Sequence, residues 1–171
     1  MKKKIGFFGG TFDPIHFGHI ALAVQLLEKG RLDEVIFCPA YCSPFKVAVP
    51  PVATPEQRLA MLKFALEIPQ FKISTIEIDR KGPSYTVDTI RSLSSEKVQL
   101  RLLLSDEAAA HLDQWKDTQE LIRLAPPLIG PREIQISSTQ IRERLKRKLY
   151  CGHLIPAKTL DYINANHLYS C

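Results

Sequence analysis

Short apolar runs that end at glycine, proline or a hydroxyl residue alternate along this chain with longer stretches whose apolar residues recur every three or four positions. The first kind reads as buried strand, the second as amphipathic helix. Ile5-Gly6-Phe7-Phe8 is a strand that stops at Gly9-Gly10. Ile20, Leu22, Ala23, Leu26 and Leu27 form a helical face, with Gly30 where a C-terminal glycine usually sits. Glu34-Val35-Ile36-Phe37-Cys38 is a second strand, and the four prolines between Pro39 and Thr54 rule out regular structure after it. Thr54-Pro55-Glu56-Gln57 starts a helix with a cap, a proline at the first helical position and a capping-box glutamine; it runs through Leu59, Met61, Leu62 and Ala65. Phe71, Ile73, Ile76 and Ile78 half-alternate as a third strand, and the polar stretch from Asp79 leads to a short helix near Ile90. Val98 to Leu104 is leucine-rich, as a central parallel strand is, and Leu128-Ile129-Gly130 offers one more strand. Helices follow Ser137 and Pro156. This alternation predicts an α/β class: one Rossmann-like domain over residues 1–171, a parallel sheet with helices on both faces, and a site at the strands' carboxyl ends.

Composition adds limits. At 171 residues, 45% hydrophobic and 24% charged, the chain buries a sizeable core without staples. Apolar runs fall short of a membrane span, and Met1-Lys2-Lys3-Lys4 leads directly into a short strand, so a cytoplasmic protein with no membrane partner is expected. Cys38, Cys42, Cys151 and Cys171 lack C-x-x-C spacing and read as reduced thiols. The net charge of +5 favours anionic partners. Much of it sits in Arg142-Glu143-Arg144-Leu145-Lys146-Arg147-Lys148, a run suited to nucleic acid, to a nucleotide phosphate or to water alone. Nucleic-acid binding calls for interleaved aromatics, and only Tyr150 lies near, so no nucleic-acid partner is expected.

The candidate chemistry lies in Gly9-Gly10-Thr11-Phe12-Asp13-Pro14-Ile15-His16-Phe17-Gly18-His19. Glycines at a strand's end permit φ > 0 and a close approach to phosphate, and Asp13-Pro14 sets a turn. His16 and His19, three apart, project from one helical turn, where free N–H groups and the helix dipole add positive potential. An anion whose charge grows during reaction fits that point. The histidines could instead be half of a metal site, although ligand-spaced carboxylate or thiol partners are absent nearby. The Lys-Ser/Thr ending of a Walker A loop and the third glycine of a dinucleotide fingerprint are also absent. Ser137-Ser138-Thr139 before Arg142 builds a second anion site on the same physics. Lys46, in the loop after the second strand, is a candidate phosphate contact or a solvated lysine. Ser84-Tyr85-Thr86 either caps a helix or presents donors to a ligand. Asp106 either holds a ribose hydroxyl or metal water, or caps the next helix. Trp115, the only tryptophan, has the core as its ordinary place.

The first motif, the Ser84-Tyr85-Thr86-Val87-Asp88-Thr89 run, Ile136-Ser137-Ser138-Thr139-Gln140-Ile141-Arg142, Leu154-Ile155-Pro156 and the Tyr162-Ile163 to Leu168-Tyr169 tail together resemble bacterial nicotinate-nucleotide adenylyltransferases. The resemblance is collinear over nearly the whole chain. It implies adenylyl transfer from ATP to nicotinate mononucleotide, giving deamido-NAD and pyrophosphate, with Mg²⁺ carried by the triphosphate. Other phosphorylated acceptors such as phosphopantetheine, or nucleotide sensing without turnover, are the alternatives. By resemblance, His16, His19 and Arg142 are catalytic, and Gly9, Gly10, Thr11, Phe12, Asp106, Ser137, Ser138 and Thr139 join them on ATP. Lys46, Ser84, Tyr85, Thr86 and Trp115 face the acceptor, Trp115 by stacking on the pyridine; no dedicated protein metal site is implied. The chain departs from the family in Leu104 for glycine, in Phe45 for histidine, and in a segment between Trp115 and Ser137 roughly thirty residues shorter than the resemblance predicts.

Overall fold

A computed structural model of the chain describes residues 2–46 and 49–170. Its elements are β1 (Lys3–Gly10), α1 (Phe17–Gly30), β2 (Glu34–Pro39), α2 (Pro55–Ala65), β3 (Phe71–Ile73), α3 (Ile76–Arg80), α4 (Thr86–Leu93), β4 (Val98–Ser105), α5 (Asp106–Ala109), α6 (Thr118–Leu124), β5 (Pro127–Gly130), α7 (Ser138–Lys146) and α8 (Ala157–Ala165). Single 3₁₀ turns cover Pro44–Lys46 and Leu112–Gln114. The strands form one parallel sheet in the order β3-β2-β1-β4-β5. The chain winds outward from β1 to β3, returns to the other side of β1 and winds outward again. The order therefore reverses between β1 and β4, and the carboxyl ends of those strands leave a crevice.

Successive strand residues face opposite sides, so each central strand feeds two cores. Phe8, Val35, Phe37 and Leu103 pack with α1, α2, α7 and α8 on one face. Ile5, Phe7, Cys38, Leu100, Leu102 and Leu104 pack with α4 and α6 on the other. The expected helices on both faces are thus present, and β1 and β4 are apolar on both sides because both sides are covered.

Two expectations about elements need correcting. The third strand ends at Ile73; Ile76 and Ile78 belong to α3, which turns Glu77 inward. Gly30 is the last helical residue, and the left-handed turn falls on Arg31, with φ 47°. A Cβ on Gly30 would stand 2.6 Å from Leu128 Cδ2, so this glycine serves the close packing of α1 on β5.

Candidate active site

His16 is the N-cap of α1. Its Nδ1 accepts from the His19 N–H at 3.3 Å, and the His16 N–H donates to His19 Nδ1 at 3.3 Å. Imidazoles thus fill both roles of a capping box, and the rings stack with centroids 3.7 Å apart. Because each Nδ1 accepts, the neutral rings carry their protons on Nε2, the nitrogen turned away from the backbone. Burial, helped by the Arg132 charge, lowers the His16 pKa from 6.5 to about 4. The first turn offers fewer open donors than its sequence promised, because the Phe17 N–H donates to the Leu154 carbonyl and the His19 N–H to His16. Gly18, between them, lines the cleft.

The loop before α1 is shaped differently from the expectation as well. Gly9 and Gly10 remain in β1, and the positive φ, 50°, falls on Phe12. The Phe12 ring folds back under Gly10, where a Cβ would meet it at 2.8 Å. It is buried there among Phe8, Phe37 and His19. Phe12 lines the cleft but is foremost a core residue supporting His19.

Asp13 is the buried joint of the loop. Its carboxylate accepts from the Val52 N–H (2.8 Å), the Ala53 N–H (3.1 Å) and the Tyr169 hydroxyl (2.6 Å). Burial and the neighbouring carboxylate push the Tyr169 pKa far up, so the phenol stays a donor. Arg58, fully buried on α2, donates to the Thr11 carbonyl at 2.8 Å and the Tyr41 carbonyl at 3.4 Å.

The second anion site meets the first. Ser137 caps α7 by accepting from the Gln140 N–H, and the Ser138 hydroxyl donates to the Pro14 carbonyl at 2.8 Å. Arg142, one turn into the helix, donates to the Asp13 carbonyl at 2.7 Å and to the Thr139 hydroxyl at 3.2 Å. The amino ends of α1 and α7 therefore point into one cleft of about 650 Å³, lined by Gly9, Gly10, Thr11, His16, His19, Ser137, Ser138, Thr139 and Arg142. Volume and convergent donors suit a ligand site, and two helix amino ends suit an anion.

A second cavity of about 510 Å³ adjoins it, with Phe45 and Trp115 lining both. Tyr85, Thr86 and Val87, at the start of α4, form its wall. Trp115 is half-buried and stands 6.1 Å from the Phe45 ring, facing the cavities as well as packing on the core. Ser84 is buried, and its hydroxyl accepts from the Tyr41 N–H at 2.9 Å, a latch between loops. Beneath it lies buried Glu77, which accepts from the Thr89 hydroxyl at 2.7 Å; desolvation raises its pKa against that hydrogen bond. Asp106 opens α5 exposed, with its Oδ1 on the Glu107 N–H, while the neighbouring Ser105 caps the helix and lines the cleft. Leu104 is buried and packs with α4 and α6. The Lys46 side chain lies outside the described residues. The other basic residues of the 144–148 run do not line the cleft: half-buried Arg144 donates to the Tyr150 carbonyl, Lys146 pairs with Glu143, and Arg147 and Lys148 are exposed.

Sequence reasoning missed Arg58, Glu77, Arg132 and the joint role of Asp13 and Tyr169. Arg58 carried a signal: it falls in phase with Met61, Leu62 and Ala65, the buried stripe of α2. A charge on the apolar stripe marks a buried partner.

The cytidylyltransferase-like family model matches residues 7–144. A protein of Dictyoglomus thermophilum named "Probable nicotinate-nucleotide adenylyltransferase" is 37% identical over 195 aligned positions, covering 97% of this chain and 99% of the relative. The nicotinate-nucleotide adenylyltransferase of Bacillus subtilis is 36% identical, covering 98% of each. Among solved structures, the Plasmodium falciparum nicotinic acid mononucleotide adenylyltransferase complexed with NaAD shares the fold with a TM-score of 0.79 at 17% identity, covering 98% of this chain and 97% of that one. The 195 aligned positions exceed the 171 residues here, so the Dictyoglomus relative carries residues this chain lacks. With a glycine strand end, paired histidines and a capped basic helix on one cleft, and with this identity over nearly its full length, the chain belongs to the nicotinate-nucleotide adenylyltransferase family.

Proposed function

We propose that the chain transfers the adenylyl group of ATP to nicotinate mononucleotide, releasing pyrophosphate and forming deamido-NAD, a step of NAD synthesis. The convergence of the α1 and α7 amino ends on one cleft, stitched by Ser138 on Pro14 and Arg142 on Asp13, carries the reading. The acceptor's phosphate is already anionic at neutral pH and needs no general base. One of its oxygens bonds to the α-phosphorus, the bond from that phosphorus to the oxygen bridging to the β-phosphorus breaks, and the bond's electron pair leaves with pyrophosphate. The protein's part is in-line positioning and neutralisation of the charge.

In this reading His16 and His19 donate from Nε2 to ATP phosphates, and Arg142 with the Ser137–Thr139 amides holds the β- and γ-phosphates. Gly9, Gly10 and Thr11 let the nucleotide lie close to the end of β1, and Asp106, exposed beside Ser105, meets the ribose. Thr86, Tyr85 and Trp115 face the pyridine, Ser84 steadies them from below, and Lys46 reaches the acceptor phosphate. Mg²⁺, which neutralises β- and γ-phosphate charge, comes bound to ATP. The donor set suits that arrangement: among the described residues no three His, Cys, Asp or Glu side chains cluster, and both oxygens of Asp13 already accept hydrogen bonds. Among the described residues no helix is long and apolar enough to cross a membrane. We place the reaction in the cytoplasm, where free thiols such as Cys38, Cys42 and Cys151 persist.

The test is pyrophosphate release from ATP and Mg²⁺ with nicotinate mononucleotide, nicotinamide mononucleotide or phosphopantetheine supplied separately. Strong preference for the first is expected. Turnover with phosphopantetheine alone would move the chain to another acceptor, and silence with all three despite ATP binding would make it a sensor.

A further inference from the structure

Arg132 lies on the stretch between β5 and α7 and takes no part in the roles assigned above. Arg132 lines the cleft together with His16, Ser137, Ser138, Thr139 and Arg142. One amino group, Nη2, donates to the Ile136 carbonyl, next to the residue that caps α7; the other, Nη1, donates to Glu107 Oε2 on α5 at 2.6 Å. Arg132 therefore bridges the cleft from the entrance of α7 to the segment following β4. Its charge also reaches His16, whose protonation it opposes.

The two hydrogen bonds differ in kind. The one to Ile136 is a backbone contact that aims the arginine. The one to Glu107 joins it to a carboxylate whose side chain is 62% exposed, a pair that water and salt screen. A guanidinium has five N–H donors in a planar fork matched to phosphate oxygens. A guanidinium held on one side by a backbone carbonyl and on the other by an exposed carboxylate is built to exchange that carboxylate for another anion.

We infer that Arg132 is a further phosphate-binding residue, which releases Glu107 to grip the β- and γ-phosphates of the nucleotide, and hence the pyrophosphate product, opposite Arg142. The inference rests on the adenylyl-transfer reading for the identity of the ligand. It makes Glu107 a placeholder that mimics phosphate. It also places a second permanent cation where negative charge accumulates as the bond to the α-phosphorus breaks, which lowers the barrier to pyrophosphate departure.

The test compares Arg132→Gln and Glu107→Gln with the wild type. Steady-state kinetics supply one readout, and calorimetric titration with Mg²⁺-pyrophosphate, which needs no acceptor, supplies the other. Glutamine at 132 loses the charge and keeps an amide donor, though two bonds short of the Nη2 that meets the Ile136 carbonyl. It should raise KM for ATP and Kd for pyrophosphate by about ten- to a hundredfold, with KM for the acceptor nearly unchanged. Glu107→Gln should leave pyrophosphate binding as tight as in the wild type, or tighter. If Arg132→Gln stays within twofold on both constants, or if Glu107→Gln reproduces its loss, the ion pair is structural and the inference falls while adenylyl transfer stands. If the wild type neither binds pyrophosphate nor releases it from ATP, the adenylyl-transfer reading fails and this assignment with it.

Discussion

His16, at the head of α1, is held neutral chiefly by burial and by the Arg132 charge. Both Nδ1 atoms accept N–H bonds, so protonating His16 would set an N–H against the N–H of His19. The ring is also buried, and its pKa falls from 6.5 to about 4. A group whose folded pKa lies below its unfolded value binds its proton first in the unfolded chain. Stability is thus fully present above pH 6.5 and declines as pH falls toward 4, by on the order of 3 kcal/mol at the lower end. Urea unfolding at intervals from pH 4.5 to 7.5 should show this decline, and His16→Asn, which keeps a cap without a titrating ring, should flatten it. Parallel pH profiles for the two proteins would contradict the assignment.

At the scale of elements, the loop between β1 and α1 takes its shape from a side chain that faces the core. Phe12 adopts the left-handed conformation, and its ring packs under Gly10, against His19 and between Phe8 and Phe37. In Gly10→Ala the new Cβ would meet ring atoms at 2.8, 2.9 and 3.1 Å. The ring is buried and packs edge-on against His19. We expect a loss of about 1–3 kcal/mol, typical of overpacking, and a fall in turnover larger than the change in KM for ATP. Calorimetric melting and steady-state kinetics check this; a variant as stable and active as the wild type would show that the ring yields freely. The strand and helix of this unit were legible from spacing alone, as was the capping box of Thr54 and Gln57 at the start of α2; the capping role of His16 was not. The location of the positive φ was not, because it depends on which ring fills the space below the strand end.

Across the whole molecule, Asp13 joins segments far apart in the chain: its carboxylate receives Val52, Ala53 and Tyr169, and its carbonyl receives Arg142. The C-terminal tail thereby helps to hold the loop between β1 and α1. Tyr169→Phe removes one hydrogen bond to a buried carboxylate and should lower stability by about 1.5–3 kcal/mol, read as a lower urea midpoint at an unchanged m-value; an unaltered midpoint would refute the role given to the tail. What the sequence by itself determined was local, although its pattern reads α3 as strand and leaves α6 unmarked: where β1, β2, β4, α1 and α2 lie, that strands and helices alternate into a parallel sheet, and that the Ser137 run caps a helix. Those properties depend on residues a few positions apart, whose periodicity and capping chemistry are written in order along the chain. Only the tertiary structure decided that the two helix ends share one cleft, that Arg132 lines it, that Arg58 is buried on the Thr11 and Tyr41 carbonyls and Glu77 on the Thr89 hydroxyl, and that Ser84 latches onto the Tyr41 N–H. Each of these depends on contacts across 12 to more than a hundred residues, such as Arg142 with Asp13, and no spacing rule reaches that far. Gly30 shows the same division: its position at a helix end was legible, but its reason, the Leu128 side chain pressed against it, comes from a strand at the far edge of the sheet.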